Sequence, residues 1–179
     1  MTQLRQEQIS AASAFAETSL SLLGSVPGMT TDTLILSAAR MAGTFLFRSY
    51  AHALNATAPG TVLLSQVASE SGPRLVGLLT SALDRLGIRI DTEKVDLNRD
   101  NTPVPVLSFL DSQRLLEPAL LPVRERFSLS HEEAAQAMAV ATAMLIKHQE
   151  TSLQPQTAFG LAVYGFIEGT KTVPQPILH

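Results

Sequence analysis

The chain has 179 residues, of which 45% are hydrophobic and 16% charged, with a formal net charge of −3 and no cysteine. That length suits one domain able to bury a core without staples, and the lack of cysteine excludes disulfides, thiolate metal sites and cysteine nucleophiles. Mild acidity gives no field for nucleic acid or anionic membranes, while the sparse charge leaves less polar surface than a monomer of this size carries, a sign of self-association.

The opening MTQLRQEQIS lacks the apolar core of a secretory signal. No later run reaches the roughly 18 apolar residues that span a bilayer. A cytoplasmic location with no membrane partner is the expectation. Across residues 3–23, Ile9, Ala12, Ala16, Leu20 and Leu23 recur at helical steps, predicting an amphipathic helix that stops at Gly24. A turn at 25–31 leads into a second helix, with Thr31 and Asp32 in its first turn, running to about Leu54.

That second helix carries the most informative pattern. On a wheel of about 100° per residue, Thr33, Ser37, Arg40, Thr44, Arg48, His52 and Asn55 share roughly a third of the circumference. Leu36, Ala39, Ala42, Phe45, Leu46, Phe47, Tyr50 and Leu54 fill most of the rest. The expected arrangement is a wet edge, with the Arg40 and Arg48 stems laid over apolar neighbours. The sharper alternative is a crevice where Arg40, Arg48 and His52 grip the carboxylate or phosphate of an anionic small molecule. If the stripe is instead buried without a ligand, it needs acids, and Glu17, Glu70, Asp84, Glu117 and Glu168 are the candidates.

Asn, Pro and Gly in NATAPGT break the helix. A short helix is expected at 62–71, interrupted at Gly72, with Pro73 opening the next. The segment LLSQVASESGPRLVGLLTSALDRLGIRI, residues 63–90, resembles the helix-turn-helix of winged-helix regulators, with Ala68 and Gly72 four apart at the turn. The resemblance implies a recognition helix entering a DNA groove and a wing strand after it. The would-be recognition helix reads Leu75, Val76, Gly77, Leu78, Leu79, leaving Arg74, Thr80 and Arg85 as contacts, which disfavours nucleic acid as a partner.

At most one short strand is expected near residues 88–90, followed by a polar loop at 91–103 with one helical turn near Glu93. From Val106 helical spacing returns, with Pro118 and Pro122 expected to kink or restart it. Ser130 and Glu133 form a capping box for a helix at 131–149, whose alanines and methionines suit the centre of a bundle. His131 and His148 sit at its two ends, where they read as capping residues. A last helix at 155–168 bears Gly160 and Gly165, with Gly169 following; glycine there costs roughly 1 kcal/mol against alanine unless close packing compensates. Prolines extend the tail at 170–179.

No HExxH, ExxH pair, GxSxG elbow, SxxK pair or P-loop occurs, so neither metal, cofactor nor catalytic residue is assigned. The chain reads as an all-α, single-domain bundle of six to eight helices. Its leading functional reading is a non-enzymatic interaction protein working as a homodimer through the glycine-bearing last helix and the tail. The second is an anion-binding protein or unfamiliar enzyme with a pocket beside Arg40, Arg48 and His52, and the third is the DNA-binding regulator.

Overall fold

A computed structural model describes residues 3–51, 57–100 and 102–177. Six helices follow in order: α1 (Gln6–Gly24), α2 (Thr31–Tyr50), α3 (Gln66–Arg85), α4 (Phe109–Arg126), α5 (His131–His148) and α6 (Pro155–Lys171), with a single 3-10 turn at Thr92–Lys94. The chain is all-helical, and residues 88–90 form no strand. Among the described residues the only ladder-like pairing is an isolated antiparallel bridge between Val62 and Thr172. It is held by Gly60 N–H to Val173 O (2.8 Å), Val173 N–H to Thr61 O (2.9 Å) and Leu63 N–H to Lys171 O (2.7 Å).

Local chemistry explains the helix starts. Thr30, Ser65, Ser108 and Ser130 each cap a helix by accepting from the backbone N–H three residues on. At α5 the expected box is complete: Ser130 Oγ accepts from Glu133 N–H (3.1 Å) and the Glu133 carboxylate from Ser130 N–H (2.9 Å). That backbone bond, with Arg5 nearby, holds the Glu133 carboxyl below the usual carboxylate range.

Helix α2 is the axis of the bundle. Every residue from Thr33 to Phe47 is buried, so the helix is enclosed on all sides. The expected wet edge is therefore absent; α4, α6 and the tail cover it. Helix α6 covers more of α2 than any other helix does, and α5 packs on α1, α2 and α3 together. A Cβ at Gly165 would lie 2.7 Å from the Ala39 Cβ and 3.0 Å from the Leu36 carbonyl oxygen; one at Gly43 would lie 2.7 Å from the Gly169 Cα. Backbone-to-backbone approach is what these glycines permit, and it offsets their helix cost. The same surfaces are thus used inside the chain, where the sequence placed a dimer contact.

Three prolines lie inside continuous helices, and Pro118 and Pro122 do not restart α4. Pro73 does not open a new helix but sits within α3. Its missing N–H leaves the Ser69 carbonyl without its helical donor, and both residues are exposed to solvent. No interhelical turn exists at Gly72, so the helix-turn-helix is not formed. In α4, Pro118 and Pro122 stand four apart, together with Arg114 on one exposed stripe, so the residues whose carbonyls lose their donor, Arg114 and Pro118, are again exposed. Helix α6 runs three residues beyond the expected Glu168, to Lys171, so the extended tail begins at Thr172.

Candidate functional site

The polar stripe of α2 is a buried network with two centres. At the first, Arg40 is 5% exposed. Its Nε donates to Glu168 Oε2 (2.7 Å) and Nη2 to Oε1 (3.3 Å), a two-pronged pairing, while Nη1 donates to Leu107 O (2.9 Å) and Ser112 Oγ (3.0 Å). Ser112 spends its proton on Ser108 O (2.9 Å), so its lone pairs receive both Arg40 and the Ser37 hydroxyl (2.9 Å). Thr33 Oγ1 extends the stripe by accepting from Val106 N–H (3.0 Å). The segment before α4 is thereby strapped across α2.

At the second centre, two turns further on, Arg48 Nε donates to Glu117 Oε1 (2.5 Å) and Nη2 to Oε2 (2.9 Å). Nη2 also donates to Gln175 O (2.6 Å) in the tail. Gln113, 3% exposed, completes the group. Its Nε2 donates to Glu117 Oε2 (2.5 Å) and Gln175 O (3.2 Å), and its Oε1 accepts from Gln175 N–H (2.8 Å). Glu117 as a carboxylate only accepts, so it fixes which way the Gln113 amide points. Beyond these, the Tyr50 hydroxyl donates to Thr170 O, and burial raises its pKa above the usual phenol range.

Arg40 and Arg48 are thus brought onto one buried seam, while His52 lies outside the described residues. Of the five acids the sequence nominated, Glu117 and Glu168 are the partners; Glu17, Glu70 and Asp84 are exposed elsewhere. An anionic ligand at these arginines would have to displace a carboxylate already seated in each fork. A cleft of about 90 Å³ lies at the other end of α2, lined by Thr30, Asp32, Arg99, Pro103 and Val104 among others. It is well under the roughly 300 Å³ of a ligand pocket. Comparison with protein-family models, curated proteins and solved structures finds no match. Among the described residues no helix is long and apolar enough to cross a membrane, and no cluster of His, Asp and Glu could hold a metal ion.

Gln113 and Gln175 carried no sequence signal. Their pairing joins positions 62 residues apart, and only the prolines flanking Gln175 hinted that the tail was built to lie extended.

Proposed function

We propose that this chain is a non-enzymatic helical interaction protein that works as a homodimer, with its contact at the 61–65 segment. The reading rests on one observation: Val62 and Leu64 are 64% and 88% exposed on a strand-like segment whose inner edge alone is paired. Alternation along an extended chain turns the backbone groups of Val62 and Leu64 away from the Lys171–Val173 segment. Among the described residues neither makes a backbone bond. Natural edges are usually blunted by charge or proline, and Thr61–Ser65 carries neither. A second copy crossing this edge antiparallel forms a self-complementary, two-fold contact. Val67, 43% exposed in the first turn of α3, widens the apolar surface. The low charge content supports the same reading, as does the internal saturation of the arginine network.

Sedimentation over a dilution series from high to low micromolar tests it. Dimer is expected for the native chain, and monomer with an unchanged melting temperature for the Val62→Lys/Leu64→Lys variant. A native chain that sediments as monomer throughout, or a variant that dimerises equally well, ends the proposal.

A further inference from the structure

The second centre of the α2 network holds a peptide main chain rather than a side chain. The Gln113 carboxamide makes the pair of bonds to Gln175 that a neighbouring strand would make, one to its N–H and one to its C=O, and Arg48 adds a third. Proline has no N–H, so between Pro174 and Pro176 the Gln175 N–H is the one donor available, and it is clamped. Each proline also confines the residue before it to extended conformations, so Val173 and Gln175 are shaped for the cleft before they reach it. Val173 and Pro174 are buried, while Pro176 is exposed.

A second glutamine clamp in the molecule shows what is unusual here. Gln156 makes the same paired bonds to the main chain of Asp91 (3.1 and 2.9 Å), but in the open and with no charged support. The Gln113 clamp is buried and braced by the Arg48–Glu117 ion pair. Buried Val173 and Pro174 seat the tail, and an apolar contact in place of the ion pair would hold it at least as firmly. A polar clamp aimed at main chain suits an occupant recognised by its backbone and able to leave.

We infer that the cleft between α2 and α4 is a peptide-binding site for an extended Pro-x-Pro segment of a partner protein, and that the chain's own tail is its resident occupant. The site reads one N–H and one C=O between two prolines, tolerates varied side chains at the central position, and takes a small apolar residue before the first proline. The tail competes at the millimolar effective concentration of a tethered ligand, so an external segment binds when the tail is loosened or when its own affinity is high.

The probe is a fluorescent peptide of residues 171–179, titrated into the full chain. Gln175→Pro in the chain removes the clamped N–H from the tail and leaves the cleft untouched. Its affinity for the peptide should rise by roughly three- to tenfold over the native chain, the worth of the neutral amide-to-amide hydrogen bond that is lost. Adding Gln113→Leu should abolish that binding, and a peptide with proline in place of the central glutamine should not bind. Equal binding with and without Gln113→Leu, or none to the loosened chain at millimolar peptide, overturns the inference. Hydrogen exchange on the native chain covers the case of a variant that fails to fold. The Gln175 amide should exchange at least tenfold faster than amides of α2 and α5, through release of the tail alone. Exchange only at the rate of the core amides shows a tail that never leaves, and overturns it. Native dimers that Gln113→Leu dissolves would assign the cleft to a second copy's tail and overturn the choice of partner.

Discussion

Along α2, one seam is built from Ala39 and Gly43 against Gly165 and Gly169 of α6, while the other sets Arg40 against Glu168 near the end of α6 and Arg48 against Glu117 and Gln113 of α4. The first seam uses the smallest side chains to bring two backbones together. The second uses the longest to bridge a gap. Small-residue packing has no alternative arrangement, because an added methyl meets main chain. On the inference above, the ionic seam has directional bonds that a partner can copy and replace, so one helix is fixed on one flank and addressable on the other.

The largest effect is expected where the ionic seam is broken on one side only. Glu117→Ala leaves the largely buried Arg48 guanidinium without its carboxylate and should cost about 3 kcal/mol in urea unfolding. The Arg48→Met/Glu117→Leu double variant should recover most of that, since removing both charges also removes their desolvation. A double variant as unstable as the single one would show that the seam is valued for strength and not for address. Next is the steric seam. A Cβ at Gly169 would fall on the Arg40 carbonyl oxygen and 2.8 Å from the Gly43 Cα, so Gly169→Ala should cost about 3 kcal/mol. A loss under about 1 kcal/mol would mean the two helices part easily, and the contrast between the flanks would fail.

Two smaller effects calibrate the others away from α2. Ser130→Ala removes the α5 cap and should cost about 1 kcal/mol. Gly77→Ala, on an exposed site of α3 with nothing near a new Cβ, should stabilise by about 0.5–1 kcal/mol. Smallest is a pH term from the same cap. Glu133 titrates lower in the fold than in the unfolded chain. Its contribution is therefore complete above the ordinary glutamate value of about 4.3 and fades as pH falls below it. In Glu133→Gln the acid limb of the stability profile should flatten slightly, and an unchanged limb refutes the assignment.

Much of this architecture was legible from spacing alone. The Ser130–Glu133 box, the stop at Gly24 and the apolar girth of α2 are local patterns, set by residues a few positions apart. The prolines misled because a helix continues through one more readily where the carbonyl it frees can meet water, and Ser69, Arg114 and Pro118, whose carbonyls lose their partner, are exposed residues. The arginine stripe was visible, and so was its need for acids if buried. Its direction was not, since Glu117 and Glu168 lie 69 and 128 residues away in the chain. The Gln113 clamp was invisible because it depends on where the tail returns, which no periodicity encodes.

The dependence of α2 on α6 also bears on how the chain is made. Residues 31–50 are made well before 155–171, the helix that covers them most. Domains settle only once their contacting parts are available, so nascent α2 lacks its largest cover until α6 follows. A chain cut short before residue 155 therefore yields a sticky fragment and not a smaller version of the bundle.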